Sequence, residues 1–209
     1  MCHEYDGIFP KVVVFDLDGT LWNPEMYELG SRGGTPFHRH TDEDTLIDCN
    51  GTHVQLIGET RAVLVALTNM MQSNKRNKNS SWPVLAIAST CDEPTWAKEC
   101  LRLFRLSTSD TLSRKEESFS SIFAGFDEIY GGCRKTHHFG EILRKAQEKL
   151  PNGSSVAFKD FLFFDNQRDN VEHVSKLGVC CVYCPRGLEP GVWDRGLEVW
   201  RSNNNGANI

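Results

Sequence analysis

No apolar run in this 209-residue chain approaches the roughly 20 residues needed to cross a bilayer. The first residues, Met1-Cys2-His3-Glu4-Tyr5-Asp6, have neither a basic flank nor an apolar core. A membrane partner and a secretory leader are therefore not expected. There is no basic excess either. Lys and Arg number 23 against 28 acids, a net charge of -5, so nucleic acid, whose binding draws on positive charge, is not an expected partner. The eight cysteines lack the spacing of a disulfide framework. Only Cys181 and Cys184 have a CxxC spacing, with Cys180 adjacent, and no second pair or matching histidine completes a zinc site. They read as small buried hydrophobes on a late strand, Val179 to Tyr183. The expected location is cytoplasmic, with the nucleus as the alternative. Nothing in the chain sets an oligomeric state.

What is present is a set of short apolar strands that end in polar residues. At 39% hydrophobic residues the chain can bury one core, and residues 1–209 are expected to form a single domain. Val12-Val13-Val14-Phe15 suits a parallel strand buried on both faces, and Asp16 and Asp18 follow at its carboxyl end, where open α/β sheets bind ligands. Side chains at i and i+2 of an extended segment share a face, so the two carboxylates converge. Held that close they repel unless a cation or a shared proton compensates, and oxygen-only ligation favours a hard ion such as Mg²⁺.

Two further strands end in a similar way. Val84-Leu85-Ala86-Ile87-Ala88 runs into Ser89-Thr90, and Phe161-Leu162-Phe163-Phe164 runs into Asp165-Asn166, with Asp169 one helical turn on. Lys135 lies between them, at an expected helix start. Three strand ends and one helix start would gather Asp16, Asp18, Ser89, Lys135 and Asp165 at one sheet edge, the composition of a phosphoryl-transfer site. Cys91 lies two residues past Ser89, and a nucleophilic thiol is the rival reading. No CxxxxxR phosphate loop surrounds it.

The spacing elsewhere alternates strands with helices. Residues 23–45 read as a polar excursion. Leu46 to Cys49 and Thr52 to Leu56 flank Asn50-Gly51, a hairpin signal with a type I′ turn, and form a flap spanning about 23–58. Helices are expected over 59–71, 95–106, 137–150 and 168–177, with a short closing helix at 190–200. Residues 72–81 read as a basic loop and 107–121 as a surface insertion. His38, His40 and His53 give no ligand geometry, and His137 and His138 read as solvated helix residues.

The stretches Phe15-Asp16-Leu17-Asp18, Thr20-Leu21-Trp22, Pro36-Phe37-His38, Ala88-Ser89, Glu128-Ile129-Tyr130, Phe163-Phe164-Asp165 and Lys176-Leu177-Gly178-Val179 resemble the magnesium-dependent phosphatase-one family of the haloacid dehalogenase superfamily. The resemblance runs from about residue 11 to about residue 190. It implies a Rossmann-like three-layer α/β fold with a parallel sheet and a small β-hairpin flap in place of a large cap. It also implies a Mg²⁺-dependent phosphomonoester hydrolase with an aspartyl-phosphate intermediate, acting on phosphotyrosine proteins or small sugar phosphates. In that scheme Asp16 is the nucleophile, Asp18 the general acid and base, Ser89 a phosphate donor and Lys135 the charge clamp. Ser89 and Lys135 are also expected in substrate binding, with Thr90 beside them and Arg134 as a replacement cation for the Arg that position 90 lacks. The metal takes Asp16, the backbone carbonyl of Asp18 and Asp165, with Asn166 and Asp169 as further candidates.

The chain departs from the family at three positions. Gly19 stands where members carry an aromatic residue, Thr90 where they carry Arg, and Asn166 where they carry a second Asp. A catalytically weak phosphate-binding module, a phosphotransferase and a dehalogenase with an Asp nucleophile are the alternative activities.

Overall fold

The computed structural model describes residues 9–76, 83–105, 123, 125–149 and 155–205. Its elements in chain order begin with β1 (Val12–Phe15), β2 (Trp22–Asn23), β3 (His38–Arg39), β4 (Thr45–Ile47), β5 (His53–Leu56) and α1 (Thr60–Arg76). There follow β6 (Val84–Ser89), α2 (Pro94–Leu103), β7 (Phe126–Ile129), α3 (Lys135–Lys149), β8 (Phe161–Asp165), α4 (Arg168–Ser175), β9 (Cys180–Tyr183) and α5 (Val192–Asn205). No helix among the described residues is long and apolar enough to cross a membrane.

Five strands form one parallel sheet in the order β7-β6-β1-β8-β9. The apolar runs of β1, β6 and β8 are buried along their whole length, as a sheet covered on both faces requires. Alternate residues feed two cores. Val13, Phe15, Leu85, Ile87, Leu162 and Phe164 pack with Leu64 of α1, Cys100 of α2 and Leu197 and Trp200 of α5. Val12, Val14, Ala86, Phe161 and Phe163 pack on the other face with Phe139 and Ile142 of α3 and Val174 of α4. The result is the three-layer α/β fold that the family resemblance implies.

Register sets the functional edge. Phe15 is level with Ile87 and with Phe164, and the Asp16 amide continues the ladder to the Phe164 carbonyl at 3.0 Å. The next residues, Asp16, Ala88-Ser89 and Asp165, therefore emerge together. The chain moves from β1 out to β6 and β7, then returns to β8 and β9 on the other side. Asp16 sits where that direction reverses, the crevice in which such sheets place ligands.

Above this edge lies a four-stranded antiparallel sheet in the order β2-β5-β4-β3. The hairpin β4–β5 is present, but its turn is wider than the expected two-residue type. The Asp48 amide donates to the Thr52 carbonyl at 2.9 Å and Gly51 to the Asp48 carbonyl at 3.1 Å, with Gly51 at φ 86°, so three residues span the turn. Asp48 explains the change, because its carboxylate accepts the amides of Gly34, Asn50 and Thr52 at 3.0, 2.9 and 2.7 Å. The excursion before the hairpin holds order too, with a 3₁₀ segment at Met26–Arg32 whose Met26 and Leu29 are buried.

Several expected boundaries move. α1 continues to Arg76, because Gln72-Ser73-Asn74 contains no Gly or Pro to stop it; residues 77–82 and the 107–121 insertion lie outside the described residues. α5 runs past Trp200 to Asn205. Strand β7 was not foreseen: Asp127 and Glu128 interrupt the apolar signal of an edge strand.

Candidate active site

At the carboxyl ends of β1 and β8, Asp16, Asp165 and Lys135 are nearly inaccessible, at 5%, 0% and 3% exposure. The Lys135 ammonium lies 2.7 Å from Asp16 Oδ1 and hydrogen-bonds Asp165 Oδ2. A cation in the first turn of a helix opposes the helix dipole, so these carboxylates are what makes its burial tolerable. Asp165 Oδ1 also accepts the Gln167 amide at 2.6 Å, and Asn170 Nδ2 reaches its Oδ2 at 3.1 Å. Burial, and then the charge of Asp16, push the Asp165 carboxyl up to about 6 even though Lys135 opposes them.

Asp18 is half-buried. The Trp22 indole Nε1–H donates to its Oδ1 at 2.7 Å, and the Cys91 thiol and Met26 amide nearby favour the charged carboxylate. Burial nevertheless raises its pKa, the charge of Asp16 adding to the rise. The turn after Asp18 needs glycine: Gly19 has φ +69°, and a Cβ there would fall 2.2 Å from Asn166 Nδ2. Asn166 is fastened by its amide, which donates to Thr20 Oγ1 at 3.0 Å. Its side-chain Oδ1 accepts from Thr20 Oγ1 at 3.4 Å, and the nearby Glu25 carboxyl is shifted upward by burial and then by Asp18.

Asp16 and Asp18 open on a cleft of about 200 Å³ that Ser89, Glu25, Tyr27, Thr90, Cys91, Asp92 and Gln167 also line. Burial and then the Asp18 charge raise the Cys91 thiol, so this sulfur is a neutral donor and not the thiolate that the cysteine-nucleophile reading needs.

Of the residues singled out by sequence, Asp16, Asp18, Ser89 and Thr90 border the cleft, while Lys135 and Asp165 are buried with Asp16. Arg134 and Asp169 are exposed and neither is among the cleft-lining residues. The residue that reaches Asp165 from α4 is Asn170. Glu25, Tyr27 and Gln167 were missed, since a polar excursion and a helix cap have no period to mark them. Trp22 stood inside a recognised stretch without an assigned role.

His138 corrects the expectation of a solvated helix residue. It is fully buried, stacked on Tyr130 at 4.3 Å and bonded through Nε2 to the Tyr130 carbonyl at 3.2 Å. His38, His40 and His53 are exposed, as expected of flap residues. The described cysteines are all free, and Cys180 and Cys184 are buried.

Asp16 and Asp165 offer oxygen only and share a single ammonium, which leaves negative charge in a dry site. Among the described residues no three His, Cys, Asp or Glu side chains form a ready cage. Two carboxylates supplemented by backbone oxygen, water or a substrate phosphate suit Mg²⁺ and fit these residues.

Residues 8–203 match the Acid Phosphatase family. The chain is 31% identical over 199 residues to magnesium-dependent phosphatase 1 of Homo sapiens, covering 94% of this chain and 90% of that protein. It is 30% identical over 172 residues to a HAD-like hydrolase superfamily protein of Schizosaccharomyces pombe, covering 82% and 83% of the two. A crystal structure of the N-terminal part of a Bacteroides fragilis protein, containing a phosphatase domain complexed with Mg, aligns with a TM-score of 0.49 and 16% identity. That alignment covers 92% of this chain and 40% of the other.

Proposed function

The chain belongs to the acid phosphatase family within the haloacid dehalogenase superfamily, and we propose that it is a Mg²⁺-dependent phosphomonoester hydrolase working through an aspartyl phosphate. The observation that carries the reading is the buried Asp16–Lys135–Asp165 array, with Asp18 and Ser89 facing the same cleft. The reading takes residues 1–209 as one catalytic unit with 23–58 as its flap.

Mg²⁺ would be held by Asp16, Asp165 and the backbone carbonyl of Asp18, with Asn166 as a further oxygen donor. When bound it offsets the negative charge that otherwise keeps a carboxylate from a phosphate. Asp16 attacks phosphorus in line, its oxygen forming a P–O bond as the bond to the leaving oxygen breaks. Asp18 gives its proton to that oxygen, then takes one from the water that hydrolyses the aspartyl phosphate. Ser89 and Lys135 stabilise charge on the transferring oxygens. Lys135 is suited to this because it is already desolvated and pinned beside the nucleophile.

The substrate side is a phosphotyrosine peptide or a small sugar phosphate. The relatives' names support phosphatase activity, and the small open cleft supports a substrate that presents its phosphate at an end. Thr90 lines that cleft and would contact the leaving group. The free cysteines support a reducing compartment, the cytoplasm or nucleus.

The test is hydrolysis of nitrophenyl phosphate with Mg²⁺ and with EDTA, followed by mass spectrometry of the trapped adduct. Metal-dependent turnover and phosphate on Asp16 are expected. An adduct on Cys91, or turnover unaffected by EDTA, would sink the reading. Phosphate binding without turnover would support the non-catalytic module instead.

A further inference from the structure

We propose that Trp22 is the positioning residue that aims the Asp18 carboxyl at the leaving oxygen, an inference that rests on the phosphatase reading above. A carboxyl two residues from the nucleophile has two free side-chain torsions, and proton transfer requires it within hydrogen-bond reach of one oxygen. The Trp22 indole removes that freedom by donating to Asp18 Oδ1 at 2.7 Å.

The indole is itself immobile. It is fully buried, it stacks on Phe104 at 6.2 Å, and its backbone pairs with Leu56 of β5. The turn closes the link from the other side, with the Gly19 amide donating to the Trp22 carbonyl at 2.9 Å. Asp18 is thereby tied to the flap sheet as well as to β1. An apolar contact would need only a ring at position 22; the directed N–H, a group that donates and never accepts, serves Asp18 specifically. Among the described residues Trp22 is the side chain with a directed hydrogen bond to Asp18.

In the step concerned, the Asp16–phosphorus bond forms, the bond from phosphorus to the leaving oxygen breaks, and the Asp18 proton moves to that oxygen. Need for the proton grows as the leaving alcohol becomes less acidic. Removing the indole N–H therefore harms esters of weakly acidic alcohols most, which loss of packing does not.

The experiment compares wild type with Trp22→Phe, and with benzothienylalanine at position 22, which keeps the ring volume and removes only the donor. The substrates are nitrophenyl phosphate and a simple alkyl phosphate. Expected is a fall in kcat of about 10–100-fold on the alkyl ester, only a few-fold on the nitrophenyl ester, and little change in KM. Adding either change to Asp18→Asn should cost nothing more, because the two residues act as one unit. Equal losses on both esters, or full additivity with Asp18→Asn, would overturn the inference. If Trp22→Phe fails to fold, the isosteric analogue alone decides. A wild type inactive on both esters defeats the phosphatase reading itself and this inference with it.

Discussion

Asp48 in the flap and Asp165 beside the nucleophile are both buried acids at the end of a strand, yet their surroundings push protonation in opposite directions. Burial alone would raise Asp48, but the backbone amides of Gly34, Thr52 and Asn50 outweigh it and hold the carboxyl below its ordinary range. At Asp165 burial wins, the neighbouring Asp16 adds to it, and the carboxyl rises to about 6. Neutral dipoles aimed at a charge satisfy it within the fold. Asp165 also receives the Gln167 amide and Asn170, but these do not outweigh burial and the second acid, and its charge partner is Lys135. The flap acid serves the turn, whereas Asp16 and Asp165 stand side by side around Lys135, an arrangement that the proposed phosphoryl chemistry would use.

The contrast breaks most sharply on activity. Asp16→Asn should reduce turnover by about 10⁴-fold or more while circular dichroism and the melting temperature remain those of a folded protein. Asp48→Ala should leave kcat per folded molecule within about threefold, since Asp48 lies outside the cleft lining. A comparable loss in both variants would erase the distinction.

Lys135→Met tests the cleft from its positive side. Two buried carboxylates lose their shared partner, so denaturation in EDTA should show a loss of about 3–5 kcal/mol. The expected kcat falls by about 10²–10³-fold in Mg²⁺. An unchanged stability in EDTA would mean that the two acids are already neutral there.

On the flap side the effect is on stability alone. Asp48→Ala leaves the amides of Gly34, Asn50 and Thr52 without their acceptor, a cost of about 1–3 kcal/mol by urea titration.

The pH dependences should run oppositely. Asp165 is raised from 3.8 to about 6, so its contribution is fully present below 3.8 and is lost as pH rises through about 6. In EDTA, Asp165→Asn should therefore gain on wild type between about pH 4 and pH 7. Asp48 is lowered from 3.8, so its contribution is present above that value and is lost as pH falls through the folded value. The gap between wild type and Asp48→Asn should shrink under strong acid. Parallel thermal melts check both, and slopes of the same sign would refute the contrast.

The smallest effect is expected at Arg134, which is exposed and outside the cleft lining. Arg134→Ala should move KM by less than about threefold with kcat unchanged. A larger KM shift, rescued by Thr90→Arg, would extend the binding surface beyond the cleft.

Much of the fold was legible because buried parallel strands leave continuous apolar runs, and Val12–Phe15, Val84–Ala88 and Phe161–Phe164 each stop at a polar residue. That one pattern located Asp16, Asp18, Ser89 and Asp165. Strand β7 escaped because an edge strand tolerates Asp127 and Glu128. Glu25 and Tyr27 escaped because a 3₁₀ segment and its approach carry no period. On α4 the one-turn spacing pointed to Asp169, but the side chain that meets Asp165 is that of Asn170.

Sequence by itself determined which residues end the strands, in what order, and with what chemical groups, since local hydrophobicity decides whether a strand is buried. Only the tertiary structure decided how those groups meet. Asn166 is fastened to Thr20, 146 positions away, Lys135 bridges two acids from different strands, and Trp22 locks Asp18 across a turn. Protonation followed the same division: a carboxyl's ordinary pKa belongs to its residue type, but its shift comes from burial and from neighbours that the chain brings in from far along its length.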